Sequence, residues 1–165
     1  MACSIILALG SNLGDKRQNI AFALNKIEER IGRITSLSAL YDTAPVGFYS
    51  TQNFVNCVCE VTTNLDILNL FSITQKIEKE MGRLKKSRNA NYSDRIIDID
   101  LIMAGDLILQ TATLTIPHPL FHMRDFVLTP LCEIAPDRIH PVLRKTVRRL
   151  KEELDQKNLT GIISE

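Results

Sequence analysis

The segment "SDRIIDIDLI", residues 93–102, constrains this chain most. Ile96, Ile97, Ile99, Leu101 and Ile102 give it the apolar content of a buried strand, yet Asp98 and Asp100 interrupt it two positions apart. In a helix two such residues diverge. In a strand they leave the same face, roughly 6.5–7 Å apart along the chain. Read as a strand, the segment has one buried face and one face carrying paired carboxylates. Two adjacent carboxylates repel, and burying uncompensated charge is costly. A solvated edge would make the pair harmless. A divalent cation would compensate it, and hard oxygen ligands suit Mg²⁺. Two ions could share the pair, as in two-metal phosphoryl-transfer sites.

The preceding stretch is basic, with Arg83, Lys85, Lys86, Arg88 and Arg95 over a short span. Alone it would read as a solvated turn. Beside the aspartates it forms a candidate triphosphate cradle, metal on one side and guanidinium or ammonium on the other. The formal net charge over 165 residues is only +1, so any anion site is local, and a nucleic-acid coat or polybasic membrane binder is not expected. With 45% hydrophobic and 24% charged residues the chain has the makeup of a globular protein. No run approaches the roughly 18 apolar residues of a membrane span. The N-terminal "SIILALG" lacks the flanks of a signal peptide, so a cytoplasmic location is expected. Cys3, Cys57, Cys59 and Cys132 fit reduced core thiols, since zinc would need further ligands at matching spacing.

Along the chain, residues 3–9 read as a central strand and "GSNLGD" as a turn lacking the ending of a phosphate loop. Ile20, Ala23, Leu24, Ile27 and Ile31 recur at helical spacing, with Gly32 as the stop. Residues 33–43 read as one second strand and residues 54–62 as a third. Asn64 or Asp66 can cap a helix with Leu70, Ile73, Ile77 and Met81 on one face, ended by Gly82. After the carboxylate strand, "AGDLILQ" reads as a hairpin turning at Gly105-Asp106. The remainder is mainly helical, with Val147, Leu150 and Leu154 along one face of a basic helix. The order β-α-β-β-α-β predicts an α+β, ferredoxin-like antiparallel sheet with helices on one face, in a single domain over residues 1–165.

The motifs "ALGSNLGD", "YDTAPVG", "FVNCV", "QKIEKEMGR", "DRIIDIDLI", "IPHPLFHMRDFVLTPL" and "EIAP" together resemble the 6-hydroxymethyl-7,8-dihydropterin pyrophosphokinase family. The R-x-x-D-x-D core, followed by P-H-P and R-x-F, is the most specific of them. The resemblance implies transfer of pyrophosphate from ATP to the pterin hydroxymethyl oxygen, with AMP released, in folate biosynthesis. It implies that Asp98 and Asp100 hold two Mg²⁺ ions, and that Arg95 and Arg83 act on the phosphates with Lys85. Gln75, Glu78, Leu101, Thr115, His118 and Arg124 match ATP-side positions. Thr43, Ala44 and Val46 match backbone contacts to the pterin edge.

A pterin is a flat heterocycle with a donor–acceptor edge, so it calls for aromatic faces and an amide. Phe54 and Asn56 share a strand face, and Phe126 would supply the opposite wall. Asn56 and Asp98 are then expected close in space. The chain departs from the family pattern in having no tryptophan in the basic loop, where Tyr92 is the available aromatic, and in having Phe54 where tyrosine is common. His122 and His140 receive no role. ATP and the pterin are the expected partners, with a monomeric protein. The rival readings are a non-catalytic ferredoxin-like module that binds a metabolite or RNA, and a nucleotidyltransferase using D-x-D.

Overall fold

The computed structural model describes residues 2–44, 52–82 and 95–160. Strand β1 (Cys3–Ser11) leads into helix α1 (Lys16–Arg30). Strands β2 (Arg33–Leu37), β3 (Tyr41–Thr43) and β4 (Phe54–Thr63) follow, then helix α2 (Ile67–Glu80). Strand β5 (Asp98–Ala104) precedes the short strands β6 (Leu109–Gln110) and β7 (Thr115–Ile116). A 3₁₀ turn, Phe121–Met123, and helices α3 (Asp125–Ile134) and α4 (Val147–Thr160) complete the chain. The main sheet runs β2-β4-β1-β5, with β3 also on β4, and every pairing is antiparallel.

Local chemistry explains the helices. Asp15 accepts the Gln18 N–H at 3.1 Å and caps α1, while Ile20, Ala23 and Ile27 fall on its buried face. Gly32 ends that helix where β4 passes so close that a Cβ would lie 2.1 Å from the Thr62 carbonyl oxygen. Of the two expected caps for α2, Asp66 is used, accepting the Asn69 N–H at 2.9 Å.

Strand parity builds two cores. Ile5, Leu7, Leu9, Cys57, Cys59 and Val61 face α1 and α2, whereas Ile6, Val58, Ile102 and Met103 face the 3₁₀ turn, α3 and α4. Helices thus cover both faces, correcting the expectation of one. The four cysteines are free. Cys57 and Cys59 are buried core thiols as read, with burial pushing the Cys57 thiol up to about 12, whereas Cys3 and Cys132 are half-buried at the edge of the cores. The expected single strand over residues 33–43 is two strands. At their junction Ser38 uses its N–H and its hydroxyl oxygen to bind Val58, in place of a continuing ladder. Gly105 does turn the chain, but β6 pairs with β7 rather than β5. Strand β5 begins at Asp98, later than residues 93–102 suggest. Among the described residues no helix is long and apolar enough to cross a membrane.

Candidate active site

The register brings the site together around Gly10. On β1, Gly10 faces Asn56 of β4 on one side and Asp98 of β5 on the other. Ala8 likewise lies between Val58 and Asp100. The two aspartates therefore leave the same face of β5, as the alternation required, and they border a floor made of the two smallest side chains. A Cβ at Gly10 would lie 2.7 Å from Asn56 Oδ1 and 3.5 Å from a Phe54 ring carbon. The missing side chain is what lets Asn56 and Phe54 reach over β1 toward Asp98.

Arg95 closes the cluster. Its guanidinium lies 3.3 Å from Asp98 Oδ2 and 5.7 Å from the centre of the Phe54 ring. The pair is well shielded, with side-chain exposures of 9% for Arg95 and 17% for Asp98. Asn12, fully buried after the end of β1, anchors this arginine. Its N–H donates to the Arg95 carbonyl at 3.0 Å and its Oδ1 accepts the Arg95 N–H at 2.6 Å. Neither Gly10 nor Asn12 was singled out from the sequence. The polar "GSN" directly after an apolar strand was the available signal.

On the β4 side, Asn56 Nδ2 donates to Thr43 Oγ1, which orients the amide with Oδ1 over Gly10. Ala44 follows exposed at the end of β3. Phe126, near the start of α3, packs partly buried in the layer over this same sheet face, and the Arg124 guanidinium sits 5.7 Å from its ring centre.

Gln75, Glu78 and Leu101 lie on the other side of the sheet and reach the aspartates only around β5, the edge strand of the described sheet. Glu78 is buried, and its carboxylate accepts the Ile99 N–H at 2.7 Å, tying α2 to the residue between the two aspartates. His118 lies along β5. Its N–H donates to the Ile102 carbonyl at 2.9 Å, and its Nδ1 accepts the Leu120 N–H at 3.1 Å. The proton of the neutral ring is therefore on Nε2. Thr115 is in β7, half-buried. Val46, Arg83, Lys85 and Tyr92 lie outside the described residues.

The donor set fits a hard divalent cation. Two carboxylates share a face beside a floor without bulk, and one of them already draws a cation in Arg95. An antiparallel α+β sheet with a strand-borne carboxylate pair at one end, flanked by an arginine and an aromatic wall, defines a small-molecule site suited to metal-assisted transfer of a charged group. The family model for 7,8-dihydro-6-hydroxymethylpterin-pyrophosphokinase (HPPK) matches residues 6–136. The chain belongs to that family.

It is 41% identical over 138 residues to the 2-amino-4-hydroxy-6-hydroxymethyldihydropteridine pyrophosphokinase of Porphyromonas gingivalis, covering 83% of this chain and 93% of that one. The Aquifex aeolicus protein of the same name is 37% identical, with 91% of each chain covered. The folic acid synthesis protein FOL1 of Dictyostelium discoideum is 44% identical over 89% of this chain, but this chain spans only 22% of its length. The crystal structure of Plasmodium falciparum HPPK-DHPS matches with a TM-score of 0.78 at 17% identity, over 98% of this chain and 46% of that one.

Proposed function

We propose that this protein transfers the pyrophosphoryl group of ATP to 6-hydroxymethyl-7,8-dihydropterin in folate biosynthesis, releasing AMP. The observation that carries the reading is the meeting of Asp98, Arg95, Asn56 and Phe54 around the empty side-chain position of Gly10. Asn56 and Asp98 stand two strand spacings apart, about 10 Å. A flat bicyclic ring laid over Gly10 would meet the Asn56 amide with one edge and present its hydroxymethyl arm near Asp98. Phe54 supplies one aromatic wall and Phe126 the other. Backbone groups of Thr43, Ala44 and Val46 complete the edge.

Asp98 and Asp100 are the residues that would hold two Mg²⁺ ions, which when bound neutralise phosphate charge. Arg95 donates to phosphate oxygens from a position set by Asn12. His118 offers an Nε2 proton, and Arg124 and Arg83 add cationic contacts with Lys85. Leu101, Thr115, Gln75 and Glu78 surround the nucleoside across the β5 edge. The pterin hydroxyl oxygen bonds to the β-phosphorus, and the bond from that phosphorus to the oxygen bridging the α-phosphate breaks. AMP leaves with the bonding electrons and the hydroxyl proton passes to solvent. Positioning and charge neutralisation provide most of the rate.

The reading takes residues 1–165 as one pyrophosphokinase domain, acting as a cytoplasmic monomer without nucleic-acid or membrane partners. Incubation with ATP, Mg²⁺ and the hydroxymethyl-dihydropterin, followed by chromatography, is expected to yield AMP and the pterin diphosphate. Formation of ADP with a monophosphorylated pterin would overturn it.

A further inference from the structure

A second cleft, of about 620 Å³, opens between α4 and the segment joining the 3₁₀ turn to α3. Its volume lies within the range of small-molecule pockets, about 300–1,000 Å³. It meets the candidate active site only at a shared wall, through Thr43, Ala44, Arg124 and Phe126. Everything else lining it comes from parts of the chain that the pyrophosphokinase reading does not use.

Charge in the cleft is unbalanced. Lys145 is paired with Glu153 at 3.0 Å, and Asp125 with Lys151 at 3.1 Å. Arg124 and Lys157 then remain as lining cations with no carboxylate in ion-pair range among the described residues. Burial, with the charge of nearby Lys157 adding to it, holds the His122 imidazole below its ordinary pKa and so favours the neutral ring. Its Nδ1 is buried with no hydrogen-bond partner among the described residues, so the cheaper tautomer puts the proton on Nε2. Apart from Thr43 and Asn158 the rest of the lining is apolar. Met123 and Leu143 are 49% and 39% exposed, and Leu150 and Leu154 extend the same surface along α4. Exposed apolar side chains beside uncompensated cations are a poor surface to leave in water.

We propose that this cleft is a second small-molecule site that binds an aromatic monoanion, its ring against Met123, Leu143 and Leu154 and its anionic group drawn by Lys157 and Arg124. The site goes beyond the pyrophosphokinase reading and does not depend on it. Because Phe126 and Arg124 belong to both walls, occupancy of the cleft would be felt at the candidate active site.

The test uses the full chain, 2-naphthoate as probe and 2-naphthalenemethanol as its uncharged counterpart. Binding is followed by NMR at the His122 Cε1–H, assigned with His122→Gln. The expected result is saturable perturbation of His122 by 2-naphthoate, with the alcohol binding about tenfold or more weakly. Lys157→Gln, an exposed position, should bring the two affinities together at unchanged melting temperature, and Leu154→Trp, which fills the cleft, should abolish both. The proposal is overturned by an unperturbed His122 up to millimolar probe, or by equal affinities for acid and alcohol. An unchanged affinity in Lys157→Gln, or displacement of the probe from His122 by hydroxymethyl-dihydropterin, would overturn it equally.

Discussion

Replacing Gly10 with alanine tests the floor of the site directly. The added Cβ would sit 2.7 Å from Asn56 Oδ1, whereas ordinary contact begins at 3.4 Å. Something must move by about 0.7 Å. The backbone of β1 is held on both sides by β4 and β5, so the amide must give way. That amide is buried and already donates to Thr43 Oγ1. Inserting a methyl group into such a site costs about 1–3 kcal/mol.

If Asn56 swings aside, the cost appears as lost pterin affinity, a factor of about 5–150 at 1.4 kcal/mol per decade. If it stays, the cost appears in stability, as about 2–4 °C of melting temperature per kcal/mol for a chain of this size. Calorimetric titration of the pterin in the presence of a non-hydrolysable ATP analogue, beside a thermal melt, separates the two. In the double variant Gly10→Ala with Asn56→Ala, stability should return while affinity stays low. A Gly10→Ala protein with unaltered pterin affinity and an unaltered melting temperature would refute the proposed geometry.

Asp98→Asn and Asp100→Asn should each lower turnover about 10²-fold or more. Asp100→Asn should leave the melting temperature equal or higher, since a like-charge contact is relieved, whereas Asp98→Asn should lower it, since it takes the carboxylate partner from Arg95. AMP release and circular dichroism melts check both, and chelation of Mg²⁺ should abolish wild-type turnover reversibly. Glu60 gives a pH prediction. Burial pushes its carboxyl up, but hydrogen bonds from Ser4 and Arg138 more than offset this and hold it below its ordinary value of 4.5. The stability it contributes is therefore complete above pH 4.5 and drains away as pH falls through the lower folded-state value. Urea denaturation of Arg138→Met should show a flatter acid limb than wild type, and parallel limbs would contradict this.

Much of this was legible from residue patterns because strand parity is local. The alternation around Asp98 and Asp100 sets their common face whatever lies beside them, and Phe54 and Asn56 share a face for the same reason. Helix α1 announced itself through its apolar spacing and its Gly32 stop, while its Asp15 cap is seen only in the fold. What escaped depends on contacts across the fold. The break at Ser38 exists because its hydroxyl meets Val58 twenty residues on, which no local pattern records. The second helical layer was hinted at by Ile6 and Ile102, apolar on a face that a one-layer fold would leave in water. Glycine at position 10 reads as part of a turn until the register sets it between Asn56 and Asp98. Glu78 was assigned to the nucleotide by resemblance, and only the fold reveals its bond to the Ile99 N–H.

Arg95 shows how these pieces act as one electrostatic unit. It is held in place by Asn12, rests on Phe54 and pairs with Asp98, so its position is set before any ligand arrives. Removing one partner of a buried pair costs about 3–5 kcal/mol, and the 17% exposure of Asp98 brings the expected loss to the lower end. In Arg95→Met the two carboxylates of β5 lose that cation and repel more strongly. A divalent cation should then restore more stability to the variant than to wild type, because it relieves a repulsion that Arg95 otherwise moderates. Thermal melts with and without Mg²⁺ measure the difference, and in the absence of nucleotide they owe nothing to catalysis. A Mg²⁺-induced rise in melting temperature no larger in Arg95→Met than in wild type would mean that Arg95 and the metal do not act on the same carboxylates.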